Sequence, residues 1–244
     1  MKLSELLYGC EYSNIMTTSG AQERDITYSP DTVDREPVHA ISLDRDISGV
    51  AYNSQKIKKG YLFVAIKGEV FDGHDFIQDA VKKGAVAVVH EKGTAMQMAA
   101  LPSEMTGSRA VTFIGVENSR KILPCIAHNF YGEPSKSLIM IGVTGTNGKT
   151  TTTYIIKSLL ESCGKKVGLI GTIQYMIKDN VYPAPYTTPE SLEFQELVKK
   201  MLVSGCTHVI SEISSHALAQ FRVDRATVNS AVFTNLTRDH LDFH

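Results

Sequence analysis

The chain has 244 residues, 43% of them hydrophobic and 21% charged, and a formal net charge of −1. This length allows one large domain or two small ones with a hydrophobic core. The near-neutral charge argues against nucleic-acid binding, which requires a basic face. No apolar run reaches the ~20 residues of a membrane span, and the first residues lack a signal peptide's apolar run, so we expect a cytoplasmic protein.

The cysteines support the same compartment. They are few, widely separated and without metal-ligand spacing: Cys10, Cys125, Cys163 and Cys206. We therefore expect reduced thiols packed in the core.

Residues 1–134 are predicted to form a small α/β domain. Apolar runs and helical periodicity indicate strands at 60–66, 85–89 and 110–114 and helices at 75–83 and 119–130. The polar segment 17–39 has no periodicity and is predicted to be exposed, although a strand within it is an open alternative. A Gly/Pro turn at 131–135 marks the end of this domain.

Residues 135–244 are predicted to form a second domain. It starts with an apolar strand at 138–141, followed by a glycine-rich loop and a helix at 151–163. The helix carries apolar residues at three- and four-residue spacing, namely Ile155, Ile156, Leu159, Leu160 and Cys163. A second strand at 167–170 completes a βαβ unit, which predicts a parallel sheet with helices on its faces.

The glycine-rich loop is the most informative feature of the sequence. Glycines let backbone N–H groups crowd around phosphate oxygens, and the following helix adds its positive N-terminal end. In this pattern Lys149 reaches the β- and γ-phosphates and the Thr150 hydroxyl binds Mg²⁺. The predicted ATP-binding residues are Thr144, Gly145, Thr146, Asn147, Gly148, Lys149 and Thr150.

The glycine spacing departs from the commonest form of this loop. The usual pattern has a glycine five positions before the Gly-Lys pair, whereas this chain has Val143 there and glycines at 142 and 145. A chance Gly-Lys-Thr in a surface turn is the alternative. The flanking strand and helix favour the phosphate loop.

Acidic and histidine side chains follow two other predicted strands. Glu212 ends the strand at 208–211, and His240 follows the strand at 230–233. Ligands gather at the carboxyl ends of parallel strands, so we predict catalytic roles for Lys149, Glu212 and His240 and a Mg²⁺ site formed by Thr150, Glu212 and His240. A solvated glutamate and a structural histidine are the alternatives.

A further group of polar residues is predicted to bind a substrate. Thr187 and Thr188 precede a predicted helix, Ser214 follows the Glu212 strand, and Gln220 and Arg222 come next. An arginine can clamp a carboxylate or phosphate with two hydrogen bonds. Taken singly, Thr187 and Ser214 are also good helix N-caps.

These motifs together resemble the Mur ligases. The resemblance lies in 142–152, Thr-Thr-Pro at 187–189, 212–218 and 235–244, and in 62–68 and 72–76 of the first domain. Within the family, the chain is most similar to the members that add the third residue of the peptidoglycan stem peptide. The resemblance implies a UDP-binding domain at 1–134 and a P-loop ATP-binding domain, incomplete at its carboxyl end, at 135–244.

The resemblance also implies a reaction. A substrate carboxylate attacks the γ-phosphate of ATP to give an acyl phosphate and ADP, and an incoming amine then displaces phosphate. The implied substrates are a UDP-N-acetylmuramoyl dipeptide and diaminopimelate or lysine, and the implied process is peptidoglycan synthesis, with its roles in cell-wall biogenesis, cell shape and cell division. Thr187, Thr188, Ser214, Gln220 and Arg222 would hold the dipeptide, and Ser54 the UDP end.

Two features depart from the family pattern. The family usually has Asp-Ser-Arg where this chain has Asn53, Ser54 and Gln55. The family also continues beyond the equivalent of His244 with a carbamylated lysine and a third domain, so we expect this chain alone to be inactive. The alternatives are a non-catalytic nucleotide- or UDP-sugar-binding module, another Mur ligase, or a relative of folylpolyglutamate synthetase.

Overall fold

The computed structural model describes residues 1–17, 20–28, 43–68, 70–93 and 110–238, with the backbone alone for 20–28. Two compact units divide the chain, Met1–Phe130 and Tyr131–His244. Each contains a mostly parallel sheet, so the predicted α/β class is confirmed. The assignment of 1–134 to UDP binding and 135–244 to ATP binding stays a prediction.

The first unit is built on a six-stranded sheet. Its strand order is β2-β1-β6-β5-β4-β3, in which β3 to β6 are parallel and β1 runs antiparallel to both β2 and β6. The strands are β1 Tyr12–Thr17, β2 Gly20–Tyr28, β3 Gly49–Ala51, β4 Tyr61–Val64, β5 Ala87–Glu91 and β6 Thr112–Val116. The helices are α1 Leu3–Leu6, α2 Ile77–Lys82 and α3 Ser119–Phe130, with 3-10 turns at Ser54–Lys56 and Gly73–Phe76.

The core of the first unit follows from its hydrophobic pattern. Strands β4, β5 and β6 are almost entirely buried, as parallel strands covered on both faces are. Phe63, Val88 and Phe113 pack with Ile77 and Ala80 of α2. Removing this apolar surface from water contributes on the order of 25 cal/mol per Å².

Two expectations for the first unit are changed by the structure. The polar segment after residue 17 contains β2, which pairs with β1, so the alternative of a strand there is the correct one. The expectation of separate reduced thiols is wrong for Cys10 and Cys125, which are joined by a disulfide with a Cα–Cα distance of 5.8 Å. The disulfide joins residues 115 positions apart in the sequence. Local sequence patterns do not predict a contact at that separation.

The second unit contains another six-stranded sheet, in the order β10-β9-β8-β11-β7-β12. Strands β8, β11, β7 and β12 are parallel, and β9 and β10 form an antiparallel hairpin. The strands are β7 Ile139–Thr144, β8 Val167–Ile170, β9 Gln174–Ile177, β10 Asn180–Pro183, β11 His208–Glu212 and β12 Ser230–Phe233. The helices are α4 Lys149–Ser162, α5 Ser191–Val203 and α6 Ser215–Ala219, with a 3-10 turn at Pro134–Ser137.

Helices cover both faces of the parallel strands of this sheet. Helix α5 packs Phe194, Val198 and Met201 against one face, and α4 packs Ile156 and Leu160 against the other. The predicted parallel sheet is confirmed, although β11 lies between β7 and β8.

The predicted apolar face of α4 is wrong in part. Ile155 and Leu159 are 55% and 62% exposed, and Cys163 is also exposed. The predicted stripe is wider than the surface that the sheet covers, so of its five residues Ile156 and Leu160 pack against the core and are partly buried. Among the helices within the described ranges, none has both the length and the apolar character that crossing a bilayer requires.

Candidate functional site

The glycine-rich loop joins the carboxyl end of β7 to the first turn of α4. Gly145 has φ +126°, and a Cβ there would lie 2.2 Å from Thr234 Oγ1 and 2.8 Å from Asn235 O. Gly148 precedes α4 with φ +84°, in the left-handed region that glycine adopts at little cost. The two glycines let the backbone turn tightly into the helix N-terminus, where unpaired N–H groups attract anions.

The Lys149 side chain folds back over the loop. Its Nζ donates to Gly145 O at 2.7 Å and to Thr146 O at 3.0 Å. A flexible ammonium carries three donors, so these two bonds to neutral carbonyls hold the charge beside the loop and leave it one further donor. The phosphate-binding role of Lys149 stays a prediction.

Glu212 lies at the carboxyl end of β11, and its side chain points to the start of α4. The residue is fully buried. Its Oε2 accepts hydrogen bonds from Thr150 Oγ1 at 2.9 Å and Thr172 Oγ1 at 3.0 Å, and its Oε1 accepts from Thr172 N at 3.0 Å. Gly171 is required beside it, because a Cβ there would lie 2.4 Å from Glu212 Oε1.

The chemistry around Glu212 fits a small divalent cation. Across the ranges that the structure describes, no lysine, arginine or histidine forms an ion pair with Glu212. A buried carboxylate without a positive partner is costly. The described residues contain no cluster of three metal-ligating side chains. Mg²⁺ keeps several waters and uses one or two carboxylates with substrate phosphates, so the Glu212 carboxylate beside the Thr150 hydroxyl is a donor set of the kind it takes.

The two predicted substrate-binding threonines lie next to this cluster. The Thr187 and Thr172 hydroxyl oxygens lie 3.0 Å apart, and since Thr172 donates its hydrogen to Glu212, Thr187 Oγ1 donates to Thr172 Oγ1. Thr188 is buried, and its Oγ1 donates to Glu212 O at 2.8 Å and accepts from Ser214 N at 3.1 Å. Thr188 therefore fixes the segment that carries Thr187 to the end of β11, while Thr187 stays half-exposed at the edge.

Ser214 is the N-cap of α6. Its hydroxyl accepts from Ala217 N at 3.2 Å, which is the capping geometry that the sequence alternative described. The same residue lies two positions after Glu212 and half-exposed, so the capping role and a substrate-binding role are compatible.

Arg222 is held by protein acceptors on three sides. Its Nε and Nη2 both donate to Gln220 Oε1, at 3.1 and 2.6 Å, and Nη1 donates to Thr188 O at 2.9 Å. Nη2 also lies 3.0 Å from Glu190 Oε1, and the guanidinium lies 5.8 Å from the centre of the Tyr186 ring. Of five N–H donors, few remain for a ligand, so Arg222 orients the threonine segment as well as offering charge.

The sixth predicted substrate residue, Ser54, lies in the first unit. It is buried in the 3-10 turn that follows Asn53, whose side chain accepts from Gln55 N at 2.8 Å. Hydrogen bonds from Lys83 and Ser54 lower the pKa of Asp79. Hence Ser54, Asp79 and Lys83 form one polar group at the start of α2.

Not every predicted residue is placed. His240 lies outside the described residues, so its proposed metal and catalytic roles stay predictions. Conversely, the sequence did not identify Thr172 or Glu190 as members of the site, and it placed Asn235 at this edge without assigning it a role. Each reaches it by a contact between distant segments, and only the position of Asn235 after a predicted strand signalled a place at this edge.

A parallel sheet whose edge carries a glycine loop, a helix N-terminus and a buried carboxylate defines a P-loop protein of the α/β class. Two family models match the chain, "Mur ligase family, catalytic domain" over residues 46–131 and "Mur ligase middle domain" over 143–244. The chain belongs to the Mur ligase family, which confirms the resemblance drawn from its motifs.

Individual relatives agree with this assignment. The UDP-N-acetylmuramoyl-L-alanyl-D-glutamate–2,6-diaminopimelate ligases of Caldanaerobacter subterraneus subsp. tengcongensis and Clostridium tetani are 51% and 48% identical to it, over 82% and 83% of this chain. The aligned part is 39% and 40% of those relatives. The chain thus spans about 40% of the length of the curated relatives it matches.

Solved structures show the same fold. A diaminopimelate ligase of that name is similar with a TM-score of 0.68 and 26% identity, over 86% of this chain and 40% of the other. The MurF ligase of Thermotoga maritima, in complex with ADP, is similar with a TM-score of 0.51 and 27% identity, over 84% of this chain and 40% of the other.

Proposed function

We propose that these residues form the UDP-binding domain and the ATP-binding region of an ATP-dependent amide ligase. The reaction would join diaminopimelate to UDP-N-acetylmuramoyl-L-alanyl-D-glutamate, as the names of the relatives suggest. We place it in the cytoplasm and take the meso isomer as the amino acid. L-lysine is the alternative amino acid. The observation that carries the proposal is the buried Glu212 carboxylate, which accepts a hydrogen bond from Thr150 in the first turn of α4.

In the proposed reaction, different residues of the site bind the phosphates and the metal ion. Lys149 and the first N–H groups of α4 would neutralise the phosphoryl oxygens, in a setting where fixed dipoles act strongly. Thr150 and Glu212 would hold Mg²⁺, which when bound neutralises charge on the β- and γ-phosphates. The buried glutamate needs no rearrangement of its own strand for this role, since β11 pairs along its whole length with β7.

The segment around Thr187 would hold the acceptor substrate. Thr187, Thr188, Ser214, Gln220 and Arg222 share one hydrogen-bonded group beside Glu212. Placing the dipeptide carboxylate there brings it next to the phosphate loop, so that it takes the γ-phosphoryl group and becomes an acyl phosphate. Proximity and orientation of this kind supply much of the rate in such transfers.

Phosphate release by a full-length ligase carrying this sequence tests the proposal. We expect release only when ATP, the UDP-muramoyl dipeptide and diaminopimelate are all present. Lys149→Ala should reduce the rate at least a hundredfold, because it removes the charge beside the transferred group. Lys200→Ala, which removes an exposed lysine paired with Glu196 on α5, is the matched control and should keep full activity. Phosphate release that ignores the dipeptide would contradict the proposal.

The length of the relatives favours a narrower role for the 244-residue chain itself. Because it spans about 40% of them, we propose that alone it binds its ligands without turnover. Calorimetry with ATP and with the UDP-muramoyl dipeptide should show binding of each. Turnover by the chain alone would contradict this second proposal, and failure to bind any UDP-sugar would favour the folylpolyglutamate synthetase alternative.

A further inference from the structure

Asn235 makes the densest set of contacts to the glycine loop from outside it. The residue follows β12, and its backbone O accepts from Thr146 N at 3.0 Å. Its side chain forms a reciprocal pair with the Asn147 backbone, in which Asn147 N donates to Oδ1 at 3.0 Å and Nδ2 donates to Asn147 O at 3.0 Å. The amide thus pairs with one loop peptide as a neighbouring strand would.

The neighbours of Asn235 reinforce this contact. Thr234 Oγ1 donates to Asn147 O at 2.7 Å. Thr237 N donates to Thr146 Oγ1 at 3.0 Å. The loop also approaches so closely that a Cβ on Gly145 would lie within 3 Å of atoms of both Thr234 and Asn235. The glycine is therefore needed for the contact with residues 234–237 as well as for the turn.

These bonds decide which loop N–H groups are available for a phosphate. The N–H groups of Thr146 and Asn147 are already used by Asn235. The first N–H groups of a helix have no intrahelical acceptor, so those at the start of α4 are among the donors that remain for an anion. Asn235 therefore orders the loop through the N–H groups of Thr146 and Asn147.

We propose that Asn235 is a positioning residue that holds the phosphate loop in its binding conformation before the nucleotide arrives. The inference rests on the proposed ATP-binding role of the loop. A loop that is already ordered loses less conformational entropy when it binds a ligand, and its affinity for the ligand is therefore higher. Loss of the Asn235 side chain should therefore weaken nucleotide binding, because the loop loses two hydrogen bonds that order it.

The chain offers a matched control at the other end of the same strand. Asn229 precedes β12, and its Oδ1 accepts from Met140 N at 2.8 Å while its own N donates to Met140 O at 2.9 Å. It thus makes a reciprocal pair with β7, as Asn235 does with the loop, but at the amino ends of the strands. Asn229→Ala should lower stability by an amount similar to Asn235→Ala and leave the loop unchanged.

Amide hydrogen exchange in the nucleotide-free 244-residue chain tests the geometry directly. In the wild type, the Asn147 amide should be protected. Asn235→Ala should remove that protection and keep the Thr146 amide protected, because Thr146 donates to the backbone of residue 235. Asn229→Ala should change neither. An unprotected Asn147 amide in the wild type would overturn the inference, even where the variant does not fold.

Nucleotide affinity tests the consequence, with a fluorescent ATP analogue as the probe. We expect Asn235→Ala to raise the Kd about tenfold, on the order of 1.4 kcal/mol, and Asn229→Ala to leave it within about twofold. Equal affinity of Asn235→Ala and wild type would overturn the inference. If the wild type itself does not bind the analogue, the proposed function fails, while the exchange experiment still decides the role of Asn235.

Discussion

At the scale of single residues, the proposed Mg²⁺ site depends most on Glu212. Its carboxylate is buried and both oxygens are taken by hydroxyl and N–H donors from Thr150 and Thr172. Neutral donors reduce the cost of burying the charge, but they do not cancel it. In the proposed site, a divalent ion next to Glu212 and Thr150 would offset this cost.

The substitution Glu212→Gln separates the cost of burying the charge from the contribution of that charge to metal binding. Without ligand, the variant should be as stable as the wild type or more stable, because the buried charge is gone and the volume is kept. Mg²⁺ and ATP at one hundred times Kd should stabilise the wild type by about 2.7 kcal/mol and the variant by much less. Thermal unfolding with and without Mg²⁺-ATP measures both. Glu196→Gln, in an exposed pair on α5, is the control. A full ligand-induced gain in Glu212→Gln would exclude a metal-binding role.

At the scale of elements, the sequence predicted those helices and strands whose hydrophobic pattern lies within their own residues. The bounds of α3, β8 and β12 agree with the predicted ones, since each is a short apolar run or an amphipathic helix between clear breakers. The β9–β10 hairpin was missed because β10 is exposed along its whole length and so carries no hydrophobic pattern. Its place in the sheet comes from pairing with β9, not from its own composition.

In the candidate site, too, the sequence predicted the residues that lie next to a recognisable element and missed those whose role depends on contacts between distant segments. The glycine loop, Lys149, Thr150 and Glu212 were predicted because each follows or begins an element that the sequence shows. Thr172 was missed although it gives Glu212 two hydrogen bonds. A threonine after an apolar strand has no distinctive pattern, and its role depends on β8 and β11 lying side by side.

Strand β5 carries a histidine that should make the first unit sensitive to acid. Burial lowers the pKa of His90, with the nearby His74 acting in the same direction, although its Nδ1 lies 3.0 Å from Glu91 O. The folded protein keeps His90 neutral, while the unfolded chain takes up a proton near the ordinary pKa of about 6.5. The stability is therefore present above about pH 6.5 and is lost as pH falls below it.

The variant His90→Asn should remove part of this pH dependence. We expect the free energy of unfolding of the wild type to fall between pH 7.5 and 5 by up to about 1.4 kcal/mol per pH unit below the unfolded pKa. Urea unfolding at several pH values measures how the free energy of unfolding changes with pH in the wild type and in His90→Asn. Asparagine can still donate to Glu91 O, so the comparison at pH 7.5 controls for lost packing. Equal dependence of the unfolding free energy on pH in the two proteins would contradict the role of His90.

At the scale of the whole molecule, the chain is two units with separate cores. The first is closed by a covalent bond, because the Cys10–Cys125 disulfide joins a residue just after α1 to one in α3. The remaining cysteines, Cys163 and Cys206, are free and lie in the second unit. A change of redox conditions should therefore act on one unit alone.

Reduction should weaken the first unit by a measurable amount. A cross-link over 115 residues restricts the unfolded chain, and the expected contribution is typically about 2–4 kcal/mol. Urea unfolding followed by circular dichroism should show a lower midpoint with a reductant than without, after mass spectrometry has verified the bond. Cys10→Ser should have the low midpoint in both conditions, and the control Cys163→Ser should respond like the wild type. A midpoint independent of reductant would contradict a stabilising role.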